Sequence, residues 1–162
     1  MTQEGRVTEN GITYRFSSAW IQELESEEHW RLYWRQQKLM EGRIHGGGSI
    51  LEIGVGSVLT ANCIRSRGFH VTTVDIDRDK RPDIVANIVT FEPEQVFDHI
   101  LAFEVFEHIP FEKFVDVVGR LTAKPPRYFF VSVPEYKRVV ATIECQLPKL
   151  GRHSLSLALP KR

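Results

Sequence analysis

An α/β fold is predicted for this 162-residue chain, with a mostly parallel sheet, helices on both faces and an antiparallel hairpin at the C-terminal end, and three features predict it. From Ser49 onward, strand-like and helix-like stretches alternate, the order that builds parallel strands joined by crossover helices. The apolar run Ile50 to Ile53 leads straight into Gly54 and Gly56, after which a helical pattern starts. Near the end, Val139 to Leu147 and Ser154 to Leu159 both suit strands, and the turn-rich Pro148 to His153 between them has hairpin length.

Taken in order, the chain opens with MTQEGRVTEN, which lacks the charged-then-apolar order of a signal peptide. Asn10-Gly11 is a tight-turn signal, and Ile12 to Phe16 alternates as a short strand or extended arm does. Ser17 or Ser18 can cap a short helical piece, Ala19 to Glu25, and Ser26 with Glu27 and Glu28 can cap a longer helix reaching about Ile44. On that helix Trp30, Trp34 and Lys38 share one side, while Tyr33, Gln37 and Met40 form an adjacent stripe. Aromatic rows at this spacing pack a helix on a sheet; the alternative is a cap over a ligand. Gly46-Gly47-Gly48 then reads as a flexible joint.

The remaining elements are strands at 49–53, 70–75, 84–87, 99–103 and 127–133, with helices at about 59–67 and 111–121. Gly68 ends the first of these helices, Pro125-Pro126 stops the second, and Pro134 closes the strand after it. Residues 1–48 therefore read as an N-terminal arm and helices packing on a core formed by 49–162, one structural domain overall.

Composition sets limits. Acidic and basic residues balance at 21 each, so no global field draws the chain to nucleic acid or an anionic membrane. No apolar run approaches the roughly 20 residues that span a bilayer. Cys63 and Cys145 sit in apolar patterns and form no C-x-x-C pair, which fits buried thiols in a reducing cytoplasm.

The chemistry concentrates between Ser49 and Asp75. Glycines at 54 and 56 let the backbone turn sharply and let a ligand approach the main chain. Asp75 lies 21 residues beyond Gly54, at the end of the next parallel strand, where a carboxylate can accept both hydroxyls of a ribose. Glu52 precedes the turn by two residues, and the strand at 99–103 runs directly into E-V-F-E-H, Glu104 to His108. In this order the pieces resemble the S-adenosylmethionine-dependent methyltransferases of the Rossmann-like class, whose first motif reads E-x-G-x-G and whose fourth strand is often followed by E-V-x-E-H. The resemblance covers Ser49 to about Pro134.

That resemblance implies a role for each position. Gly54 and Gly56 give backbone access to the amino-acid and ribose parts of the cofactor. Glu52 orients the loop or accepts a hydrogen bond from the ammonium. Asp75 binds the ribose, while Asp77 and Asp79 in the following charged turn read as solvated surface. Asn87 stands where the family often has an acid that meets the adenine amino group, and an amide oxygen can accept the same bond. Ile76 and Ile88 either flank the adenine or belong to the core. Phe103 and Glu104 bring their backbone near the methionine part. His108 is the candidate general base, the alternative being a structural role in the cofactor loop.

Two departures from the pattern stand out. Val58 replaces a third glycine, and Glu135 to Arg138 leaves no room for the helix that links the fifth strand to the C-terminal hairpin in the family. This is a minimal version of the fold with one thinly covered face, which a second copy of the chain in a homodimer can cover. No H-E-x-x-H, G-x-S-x-G or Walker pattern is present, so zinc-protease, serine-hydrolase and P-loop readings fail, and no metal is expected. A nicotinamide dehydrogenase shares the first β-α-β unit but not Glu52 or E-V-F-E-H. The expected activity is methyl transfer to an unidentified acceptor, a small molecule being favoured; the alternative is a catalytically inactive cofactor-binding or scaffold protein of the same fold.

Overall fold

The computed structural model describes residues 4–9, 12–17, 26–134, 137–147 and 151–160, with side chains described over 26–134 and at positions 6, 8, 9 and 12–14. Five parallel strands form the central sheet: β3 (Ser49–Ile53), β4 (His70–Asp75), β5 (Ile84–Val85), β6 (His99–Phe103) and β7 (Tyr128–Ser132), in the order β5-β4-β3-β6-β7. The chain moves outward from β3 through β4 to β5, then returns to the other side of β3 with β6. The order therefore reverses at β3, and a crevice opens beyond the C-terminal ends of β3 and its neighbours.

Alternation along β3 and β6 supplies two cores. Leu51, Ile53, Ile100 and Ala102 face α3 (Phe111–Leu121), which contributes Val117 and Leu121. Ile50, Leu101 and Phe103 face the other way, against Met40 of α1 (Glu27–Met40) and Ala61 and Ile64 of α2 (Leu59–Arg65). Strands buried on both faces are continuously apolar for this reason, and each fully buried aliphatic side chain contributes about 1.5–3 kcal/mol.

The N-terminal third holds more strand than its sequence suggests. Ile12–Ser17 is a strand, β2, and it pairs antiparallel with a further strand, β1 (Glu4–Glu9), so that Glu9 faces Ile12. Asn10, Gly11 and the expected short helix Ala19 to Glu25 lie outside the described residues. Ser26 caps α1, its Oγ accepting from the His29 N–H at 3.2 Å. The helix ends at Met40, before Ile44, in a turn where Gly42 takes φ +70°.

Several expectations need correction. Trp30 and Trp34 do not pack on the sheet; they are 54% and 62% exposed. The buried side of α1 carries Gln36 and Met40 instead, because one helix covers the sheet with a single stripe and the tryptophan row is turned away from it. Cys63 is half-buried, its thiol 3.7 Å from Gln37 Oε1, and the side chain of Cys145 lies outside the described residues. The glycine joint is a defined turn, with Gly46 and Gly47 at φ +53° and +71°. The C-terminal strands β8 (Lys137–Leu147) and β9 (Gly151–Pro160) pair antiparallel as expected, yet they form a sheet of their own and neither adds to the edge at β7. Four residues separate Ser132 from Lys137, too few for a helix that would carry the chain over the sheet and back to its edge.

Val58 precedes α2 at φ 62°, ψ 4°, the left-handed conformation that a third glycine would adopt without strain. A β-branched residue there costs about 1–2 kcal/mol, and no side-chain cap offsets it. Val58→Gly is expected to raise stability by about 1 kcal/mol after its lost packing and the added freedom of the unfolded chain, measured by urea denaturation.

Candidate functional site

A cavity of about 790 Å³ opens at the order reversal, over the C-terminal ends of β3, β4 and β6. All ten residues singled out from the sequence, Glu52 through His108, line it. Its roof includes His29, Leu32, Tyr33 and Gln36 from α1, the helix whose alternative reading was a cap over a ligand, and Thr13 and Tyr14 from β2, which the sequence did not point to. Tyr33 anchors this roof to the glycine loop through a 2.8 Å hydrogen bond between its hydroxyl and that of Ser57.

Gly54 is held at φ +77° against the loop after β6, where an added Cβ would run into Val105 Cγ2. Its N–H donates to Val74 O at 2.8 Å, which ties the turn to β4. Across the same turn the carboxylate of Asp75 organises the loop. Its Oδ2 accepts from the Val55 N–H at 2.8 Å and from Lys80 Nζ at 3.2 Å, and its Oδ1 accepts from the Asp77 N–H at 2.8 Å. The charged turn is consequently not all solvated surface. The side chain of Lys80 is 13% exposed because it neutralises Asp75, and Asp77 is buried, its Oδ1 accepting from the Asp79 N–H at 2.9 Å; Asp79 is exposed as expected.

Glu52 is the most perturbed group. It is 3% exposed, its Oε2 has no hydrogen-bond partner among the described residues, and it lines the cavity. Burial pushes its pKa up to about 8, Arg65 pulling it down and Asp75 raising it further. The folded protein thus takes up a proton that the unfolded chain releases near 4.5. Stability from this group is full below about pH 4.5 and lost as pH rises through about 8. Glu52→Gln cannot ionise, so it is expected to match the parent at about pH 5 and to exceed it by roughly 1–3 kcal/mol at about pH 9, read from denaturant midpoints at both pH values.

Asn87 is buried, and its amide is engaged on both sides. Oδ1 accepts from the Val89 N–H at 3.0 Å, and Nδ2 donates to Glu9 Oε2 at 2.6 Å. Ile88 serves two surroundings, since it packs in the α3-side core and also lines the cavity; Ile76 is half-buried on the cavity wall. Phe103 ends β6, buried, and Glu104 follows at φ +56°, with Oε1 accepting from the Ser132 hydroxyl at 2.7 Å. His108 sits at the rim with its side chain 68% exposed, 3.7 Å from Glu107 Oε1. Burial raises the pKa of Glu107, and the nearby His108 lowers it.

A glycine-lined floor, a buried acid beside it and a second acid at the end of the neighbouring strand suit a nucleoside-bearing ligand. A family model described as a methyltransferase domain matches residues 26–158. The chain belongs to this family. Among solved structures, a protein from Pyrococcus horikoshii shares the fold of this methyltransferase domain with a TM-score of 0.56 and 15% identity, over 88% of this chain and 95% of that one. An amino pentose methyltransferase of calicheamicin biosynthesis from Micromonospora echinaspora, solved with S-adenosylmethionine bound, matches with a TM-score of 0.50 and 11% identity over 82% and 75% of the two chains. Coclaurine N-methyltransferase, solved with N-methylheliamine and S-adenosylhomocysteine, matches 60% of the chain with 20% identity and a TM-score of 0.47, and the chain spans 34% of that protein. At these identities the first two likenesses concern the fold alone. No curated protein matches the sequence. No described helix of this methyltransferase domain is long and apolar enough to cross a membrane.

Proposed function

We propose that this methyltransferase domain takes a methyl group from S-adenosylmethionine and passes it to an oxygen, nitrogen or carbon nucleophile on a small molecule, acting in the cytoplasm. The observation that carries the reading is the buried carboxyl of Glu52, whose Oε2 has no hydrogen-bond partner among the described residues, in the wall of a cavity shared with Asp75. An acceptor without a partner at such depth suits a ligand ammonium, and a second carboxylate one strand away suits a ribose diol. The donor, when bound, supplies an electrophilic methyl group on its sulfonium.

In this reading Glu52 holds the ammonium in its ionised form, and Asp75 uses its remaining lone pairs for the ribose. Gly54 and Gly56 let the main chain approach. Ile76 and Ile88 flank the adenine beside Asn87, and Phe103 and Glu104 border the methionine part. His108 at the rim takes a proton from the acceptor. Residues 49–162 supply the groups that touch the donor, while the arm and helix within 1–48 roof the cavity. At about 790 Å³ the cavity lies high in the 300–1,000 Å³ span of ligand sites, which leaves room for a compact acceptor beside the donor. The family match lends no support to the catalytically inactive alternative.

Calorimetric titration with S-adenosylmethionine and S-adenosylhomocysteine is expected to show saturable micromolar binding, with NAD silent. Because an ammonium favours the ionised form of Glu52, uptake below about pH 8 should release a proton, seen as a heat that varies with the ionisation enthalpy of the buffer. A folded protein that binds neither ligand would overturn the reading. Turnover unchanged by His108→Ala, with donor and acceptor saturating, would remove the base role alone.

A further inference from the structure

We propose that Glu9, at the end of β1, is a positioning residue for recognition of the adenine of the donor, acting through the side-chain amide of Asn87. This rests on the donor site proposed above. The contact that carries it joins residues 78 positions apart: Asn87 Nδ2 donates to Glu9 Oε2 at 2.6 Å. On the other side of the amide, Oδ1 accepts from the Val89 N–H at 3.0 Å. The two bonds have opposite sense, so only one orientation of the amide satisfies both. A carboxylate cannot donate to the oxygen, and a backbone N–H cannot accept from the nitrogen.

Each bond uses half of the capacity of one group. One N–H and one lone pair remain on the amide of Asn87, which lines the cavity beside Ile88. Bidentate pairing with an adenine edge uses the N–H cis to the amide oxygen together with the lone pair on that same edge, so recognition of this kind requires the Glu9 and Val89 bonds to occupy the outer N–H and the outer lone pair. A 6-oxo purine places an acceptor where adenine has its amino group, so it would face the amide oxygen and lose one bond. Charge adds to geometry, because a carboxylate 2.6 Å from Nδ2 polarises the amide. Thr90 Oγ1 makes a longer contact of 3.5 Å to Glu9 Oε1. Glu9 itself does not line the cavity, so its effect on a ligand passes through Asn87. The hairpin that carries it also delivers Thr13 and Tyr14 to the roof.

The test compares S-adenosylhomocysteine with its 6-oxo counterpart, S-inosylhomocysteine, by calorimetry on the full chain, as parent, E9A and E9Q. The parent is expected to prefer the adenine form. E9A should weaken that form about tenfold and leave the 6-oxo form nearly unchanged, so that selectivity falls by the same factor. E9Q retains an oxygen that accepts from Asn87 and should restore most of the preference. Without any ligand, the side-chain amide resonances of Asn87 should move in E9A and return in E9Q. Equal weakening of both ligands by E9A marks a latch that only holds the hairpin, and it overturns the proposal, as does unchanged selectivity. If E9A fails to fold, Glu9→Asp, which keeps the charge and shortens the reach, gives the same comparison. A folded parent that binds neither ligand instead removes the donor site itself.

Discussion

Asp75→Ala is expected to abolish donor binding and also to lower folding stability by about 3–5 kcal/mol. The carboxylate holds the Val55 and Asp77 N–H groups at 2.8 Å each and pairs with Lys80 at 3.2 Å. The pair is buried, with Asp75 and Lys80 side chains only 4% and 13% exposed, so removing the acid strands a cation and two amides in the interior. Loss of binding in this variant alone would therefore not separate a ribose contact from a collapsed loop. Asp75→Asn keeps the volume and one acceptor oxygen. It still leaves Lys80 without its counter-ion and sets an NH2 group against one of the donors, so it is expected to lose a smaller part of the stability than Asp75→Ala while weakening the donor by more than tenfold, and comparison of thermal melts with calorimetric affinities for both variants checks the separation.

Gly54→Ala is the second substitution with a large expected effect. The added methyl group meets two obstacles, a φ of +77° that L residues rarely adopt and the side chain of Val105. Backbone strain contributes about 1–2 kcal/mol. The collision cannot be relieved without moving the loop after β6, so a total loss of about 2–4 kcal/mol is expected. Because Glu104 and His108 belong to that loop, donor affinity should fall even in the population that stays folded. Val105→Ala removes the group that the methyl would strike. The double variant Gly54→Ala with Val105→Ala should therefore lose less stability than the sum of its parts, which a double-mutant cycle by chemical denaturation measures.

The central sheet was legible because its determinants are local. Three apolar residues, Ile50, Leu51 and Ile53, before Gly54, a glycine at 68 and prolines at 125, 126 and 134 mark boundaries without reference to anything distant, and β3, β4, β6 and α3 begin and end where these signals place them. The cavity floor was legible for the same reason, since Glu52, Gly54, Gly56 and Asp75 are arranged by one β-α-β unit. What escaped was tertiary. Strand β1 is short and polar, and its partner β2 stabilises it more than any pattern of its own. Lys80 looks like solvated surface until Asp75 is placed beside it. Tyr33 and Trp34 are neighbours in sequence and equally aromatic, yet one hydrogen-bonds the glycine loop and the other is 62% exposed; only the direction in which α1 docks separates them. The substitution of Asn for an acid at 87 was visible, but the carboxylate that accompanies it comes from the far end of the chain.

The position of β3 in the sheet bears on the order of folding. Ile50 pairs with Val71 on one side, an easily closed loop, and with His99 on the other, more than twice as far along the chain. Closing the longer loop costs more chain entropy, so the β3–β4 pair should form first and β6 should dock later. The cavity straddles that late seam, with Asp75 on the early side and Phe103 on the late one. A ligand seated across it is therefore absent from the folding transition state, and it should act by slowing unfolding while leaving the folding rate unchanged.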